Sequence, residues 1–92
     1  MALTRGSFQG YEFERMVIQF SMIDGEREIP CAISTSALDE LESVSRIRAN
    51  ESEAHFMRLR DRIEERAARK FLASEFEGTP PGIILRSIDF RK

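Results

Sequence analysis

Met16, Ile18, Phe20 and Met22 alternate with Val17, Gln19 and Ser21, the period of a strand with one buried face. Asp24-Gly25 follows, a strong hairpin turn signal. Beyond it Ile29, Cys31 and Ile33 alternate with Glu28, Pro30 and Ala32. A chain carrying this hairpin must find cover for one face of a sheet. Symmetric pairing about Asp24-Gly25 opposes Phe20 to Ile29, Ile18 to Cys31 and Met16 to Ile33, three apolar pairs on one face. A slip by one residue opposes Ile18 to the outward set, so the pattern specifies the pairing. Pro30 constrains the turn. In a tight two-residue hairpin of this register it falls at a hydrogen-bonded pair, where its missing N–H is a defect. A four-residue loop, Ile23 to Glu26, keeps the register and moves Pro30 to a non-bonded pair. The expectation is the longer loop or a local bulge, with the 27–33 strand at a sheet edge near Pro30.

The remaining elements follow from local signals. Phe8 to Phe13 is compatible with a short first strand, which the pattern leaves open, and residues 1–7 read as a flexible lead-in. Ser34-Thr35-Ser36 offers three N-caps for a short helix from about Ala37 to Val44, with Leu38 and Leu41 facing the core and Asp39 and Glu40 suiting the dipole of its first turn. Residues 45–49 read as a polar link. Asn50-Glu51-Ser52-Glu53 resembles a capping box. A long helix then runs to about Glu75, with Gly78 as its stop. Thr79-Pro80-Pro81-Gly82 cannot continue a helix. Ile83 to Phe90 reads as a last strand, and Ile83-Ile84-Leu85, apolar on both faces, suggests a central place in the sheet. Strands and helices are segregated, so the class is α+β: a small, mostly antiparallel sheet (a β-hairpin plus a C-terminal strand) covered on one face by a short and a long helix.

At 92 residues the chain is a single domain, 1–92. Its 41% apolar and 33% charged content places it among globular rather than disordered sequences. A domain of this size has a thin core, so a share of the apolar surface is expected against a second subunit. The net charge of −2 encodes no global attraction to nucleic acid or an anionic membrane. Cys31 is the single cysteine, which excludes an intrachain disulfide and favours a reducing cytoplasm. No run of residues approaches the apolar length of a signal peptide or a membrane span.

On the long helix, Phe56, Leu59, Ile63, Ala67 and Phe71 fall within about a third of the wheel and form the core stripe. Arg60 and Lys70 share that stripe. A charge there needs a partner or a route to water, and Asp89 is the expected partner of Arg60 in a buried ion pair; an anion site is the sharper alternative. Arg58, Arg62, Arg66 and Arg69 line one flank. Arginines spaced four apart project in one direction and could follow phosphates. The plainer reading is a solvated face balanced by neighbours such as Glu65, with no aromatic residues interleaved for base stacking.

Catalytic, cofactor and metal sites are not legible. One His and one Cys cannot make a structural zinc site alone. A Cys31–His55 nucleophile pair is disfavoured because Cys31 belongs to the buried strand face and His55 lies near a helix start. The stretch Gly78 to Gly82 lacks the Lys and following helix of a phosphate loop. No cofactor is expected.

Several stretches do match a known pattern. Asp24-Gly25, Cys31-Ala32-Ile33-Ser34 with Ala37-Leu38, then Phe56, Arg60-Asp61-Arg62-Ile63 and Ala67-Ala68, and finally Ile84-Leu85-Arg86-Ser87-Ile88-Asp89-Phe90 occur in an order and spacing that resembles a small bacterial family, domain of unknown function 1488. The resemblance runs from about Tyr11 to Phe90. It implies a single-domain α+β protein and no assigned reaction, ligand or partner. The expectation for function is a non-enzymatic protein-interaction or regulatory module with a protein partner or self-association as a homodimer. The alternative is a weak nucleic-acid-binding accessory protein using the Arg58–Arg69 flank.

Overall fold

The computed structural model describes residues 3–43, 48–78 and 81–91. Strands β1 (Thr4–Glu12), β2 (Val17–Asp24) and β3 (Arg27–Ser34) precede helix α1 (Thr35–Glu42). A 3-10 turn (Ala49–Glu51), helix α2 (Ser52–Leu72), strand β4 (Ile83–Leu85) and a second 3-10 turn (Ser87–Phe90) complete the chain. One sheet has the order β1-β2-β3-β4. The first three strands are antiparallel and β4 runs parallel to β3. A parallel partner requires a long crossover, and α1 with α2 supplies it. The α+β, mostly antiparallel architecture is the one the sequence implies.

The core lies between one sheet face and the helices. Ile18, Phe20, Met22, Ile29, Cys31 and Ile33 pack with Ala37 and Leu38 of α1 and with Phe56, Ile63 and Ala67 of α2. Phe56 is the hub, its ring 5.1 Å from that of Phe20 and 5.2 Å from that of Phe8. The α2 stripe stands as read, with Leu59 and Phe71 packed at its margin.

The hairpin differs from the expectation in register. Asp24 pairs with Arg27, Met22 with Ile29, Phe20 with Cys31 and Ile18 with Ile33. This is a shift of two residues, which leaves every side chain on its expected face because the strand period is two. The loop is the two residues Gly25-Glu26, not four. Gly25 takes φ 64°, the positive value that a type II′ turn requires at its first central position. Alternate pairs counted from the closing pair are hydrogen-bonded, so Pro30, opposite Ser21, falls at a non-bonded pair. The proline thus satisfies its constraint through register rather than loop length. Among the described residues Arg27 to Pro30 has no strand on its outer side, because β4 begins opposite Cys31; β3 is thus an edge near Pro30 and interior beyond it. Met16, expected in the strand, precedes it, with φ 55° and 48% exposure.

Other boundaries move as well. β1 starts at Thr4, so residues 4–7 belong to the sheet instead of a flexible lead-in, while residues 1–2 lie outside the described residues. Ser34 caps α1 by accepting the Ala37 N–H at 3.1 Å; Val44 and residues 45–47 lie outside the described residues. The capping box at Asn50 does not form, since Glu51 occupies the N-cap position of α2 without a side-chain cap. α2 ends at Leu72 rather than near Glu75, and Ser74 at φ 58° takes the left-handed position expected of Gly78. Its N–H donates to Phe71 O and that of Glu75 to Lys70 O, the Schellman arrangement. β4 is three residues long and lies at the sheet edge, not its centre. Both faces of β4 are apolar because Ile83 and Leu85 are buried in the core while Ile84 is half-buried.

Candidate functional site

The four arginines of the α2 flank separate into different roles. Arg58 reaches Glu42 at the end of α1, Nε donating at 3.1 Å, and His55 contacts the same carboxylate. The hydrogen bond from His55, then that from Arg58, holds the Glu42 carboxyl below its ordinary range. Arg58 therefore ties α2 to α1 and leaves the flank. Arg66 Nε donates to the backbone oxygen of Asp89 at 2.6 Å. Arg69 lies 3.8 Å from Glu65 with both side chains largely exposed. Arg62 forms no hydrogen bond or ion pair with another described residue.

The C-terminal 3-10 turn adds a fourth cation to the remaining three. Arg91 Nη2 stands 3.0 Å from Glu40 Oε2, and hydrogen bonds from Ser87 first and Arg91 second lower the Glu40 carboxyl. Arg62, Arg66, Arg69 and Arg91 line an open groove of about 430 Å³ with Glu65, Asp89 and Phe90. A second cavity of about 290 Å³ continues from it toward α1 and shares Arg62, Phe90 and Arg91. Phe90 is half-buried at the junction. The candidate surface is this composite groove, built by α2, the C-terminal turn and α1.

Its position is set by a buried ion pair beneath it. Lys70 Nζ donates to Asp89 Oδ2 at 3.2 Å and to Ile84 O at 2.9 Å. Asp89 Oδ2 also accepts the Arg86 N–H at 2.7 Å, capping the turn that carries Phe90 and Arg91. The expected Arg60–Asp89 pair is corrected by these contacts. Asp89 lies at the C-terminal half of α2, where Lys70 reaches it, while Arg60 is ten residues earlier on that helix and pairs with Glu64 at 2.8 Å. Arg60 also donates to Gly6 O at 3.1 Å, and Arg5 binds Glu64 at 2.9 Å and Asp61 at 2.7 Å. The charge on the core stripe is thus a clamp that joins β1 to α2.

Cys31 and His55 are not joined. The Cys31 thiol is in the core, where burial pushes it up to about 12, and His55 is committed to Glu42. Among the described residues no three metal-ligating side chains cluster, and no helix is long and apolar enough to cross a membrane. Phe90 and Arg91 are the groove residues that sequence reading missed. Reading 83–90 as one strand concealed them, although Ser87 and Asp89, residues that favour turns and caps, were the available signal.

Comparisons with known proteins give a fold and a family. A solved structure from Shewanella loihica PV-4, described as a protein of unknown function from the DUF1488 family, matches with a TM-score of 0.81 at 18% identity, covering 92% of this chain and 93% of that one. At that identity the likeness speaks for the fold. No curated protein matches. The family model for DUF1488, described as a protein of unknown function, matches residues 6–84. With most of its length matched and the same fold in a solved relative, the chain belongs to the DUF1488 family.

Proposed function

We propose that the chain is a non-enzymatic protein-interaction module whose contact surface is the arginine groove between α2, the C-terminal turn and α1. One observation carries this reading: Arg62, Arg66, Arg69 and Arg91 come from two separate elements onto one open groove around Phe90. Such a surface combines charge-assisted donors with an aromatic side chain, a composition typical of protein contacts. The groove offers donors and one aromatic side chain, with no nucleophile paired with a base among its described residues.

A second reading, a nucleic-acid accessory protein, gains from Phe90, which supplies the aromatic ring the flank lacked. It loses from the carboxylates that hold Arg58, Arg66 and Arg69. The experiment that separates the two is the solution mass of the full chain at low and physiological salt, with and without mixed short DNA and RNA. A mass above the 10.6 kDa of one chain, unchanged by nucleic acid, is the expected result. A monomer that shifts only with nucleic acid, and less as salt rises, reverses the order of the readings.

A further inference from the structure

We infer that the groove binds an acidic segment of a partner protein, and that Glu40 and Glu65 are internal stand-ins which that segment displaces. The inference rests on the interaction reading above and names the partner's chemistry.

Three of the four groove arginines already hold carboxylates, and two of these pairs, those of Arg91 and Arg69, are at the surface. Arg91 with Glu40 leaves the two side chains 62% and 48% exposed, and Arg69 with Glu65 leaves them 68% and 69% exposed. Exposed pairs of this kind contribute about 0–1 kcal/mol, so an incoming carboxylate exchanges with them at little cost. Arg62 needs no displacement, since it has no ion-pair partner among the described residues. Arg66 is different: it is fixed to the Asp89 backbone and lies 3.5 Å from that residue's carboxylate, and it positions the rim.

Charge in the groove favours an anion. Four arginines face Glu40, Glu65 and Asp89, and Lys70 already compensates Asp89 from beneath. The excess is positive and local, within a chain whose net charge is −2.

The glutamates already paired there favour a protein segment over a nucleic-acid strand. Arg62 and Arg66 rise about 6 Å apart along α2, the same rise that separates carboxylates four residues apart on a second helix laid beside it. The half-buried Leu41 and Phe90 line the continuation toward α1 beside Glu40, Ser43 and Ser87, where an apolar side chain of such a segment finds cover. The pairs already present show carboxylate recognition by these guanidinium groups, with the partner's glutamates repeating the same chemistry.

The test is fluorescence anisotropy with the full chain and three probes: a sixteen-residue helical peptide with glutamate at every fourth position, its all-glutamine counterpart, and a thymidine oligonucleotide. The glutamate peptide is expected to bind, less tightly as salt rises from about 20 to about 150 mM. Removing the stand-ins with the Glu40→Gln, Glu65→Gln double variant is expected to tighten that binding about threefold or more. The Arg62→Gln, Arg91→Gln double variant is expected to abolish it while keeping the native circular dichroism. A gain of affinity on deleting two surface carboxylates is not something a merely structural role produces. Peptide affinity unmoved by the glutamine double variant, equal binding of the all-glutamine peptide, or tighter binding of the oligonucleotide each overturns the proposal. If the solution mass shows protein association while any of these results is found, the acidic-segment inference fails and the interaction reading stands.

Discussion

Lys70 Nζ lies 3.2 Å from Asp89 Oδ2, and the two side chains are only 7% and 10% exposed. This pair joins the last turns of α2 to the turn after β4, and the same aspartate oxygen caps that turn through the Arg86 N–H. The C-terminal segment stays against the helix because one buried charge is matched by another and a second ammonium donor finds Ile84 O.

Removing one member leaves the other charged and buried, so Asp89→Ala is expected to lower unfolding free energy by about 3 kcal/mol. Asp89→Asn is expected to cost less than Asp89→Ala, since its oxygen still accepts the Arg86 N–H. Urea unfolding followed by circular dichroism measures both. Equal midpoints for the Asp89→Ala chain and wild type would show that the pair holds nothing in place.

Gly82 approaches the backbone of Pro30 so closely that an added Cβ would stand 2.2 Å from Pro30 O. The clash is with main chain and cannot be relieved by a rotamer. Gly82→Ala is expected to destabilise by about 1–3 kcal/mol, with faster amide exchange across β4 and the Glu77–Gly82 bridge. Unchanged exchange at Ile83 to Leu85 would mean that β4 tolerates the displacement.

Cys31 should be silent in the native chain. With its thiol pushed up to about 12 by burial, the thiolate fraction at pH 8 falls on the order of a thousandfold below that of a free cysteine. Labelling by an aromatic disulfide reagent is expected to track global unfolding, becoming rapid only in denaturant. Prompt native labelling would place the thiol at the surface.

Acid should loosen the helix pair. The Glu42 and Glu77 carboxyls both lie below the ordinary 4.5, held there by hydrogen bonds from His55 and from Arg86 respectively. A carboxyl depressed in the folded state binds its proton more readily when unfolded. Its stabilisation is present above about pH 4.5 and disappears as pH falls through the folded value. Glu42→Gln and Glu77→Gln are therefore expected to flatten the decline of the urea midpoint below that pH, with little change in its slope at pH 6 to 7. An acid slope identical to wild type would assign the decline to other groups.

How much of this was legible in the chain follows from the range of each interaction. The faces of β2 and β3 and the stripe of Phe56, Ile63 and Ala67 on α2 were readable, because a period of two or of 3.6 is written in neighbouring residues. The hairpin register was not, since a shift of two residues keeps Ile18, Phe20 and Cys31 on the same face and alters only which of them meet. The parallel edge position of β4 and the turn at Ser87 were hidden for a related reason: an apolar run states burial but not the partner that provides it.

The groove shows the same division. Its flank, Arg62, Arg66 and Arg69, follows from helical spacing alone. Arg91 and Phe90 join it only because Lys70 and Arg66 draw Asp89 onto α2, and Arg60 leaves the matter because Glu64, four residues on, and Gly6 on β1 claim it first. By itself, then, the sequence determined the class, the buried faces and the charged flank, all properties of residues close along the chain. Tertiary structure alone decided register, the ion pairs between elements and the assembly of the groove, because a charged side chain is satisfied by whichever opposite charge the fold brings within about 4 Å, and for Lys70, Arg58 and Arg91 that charge lies on an element far away in sequence.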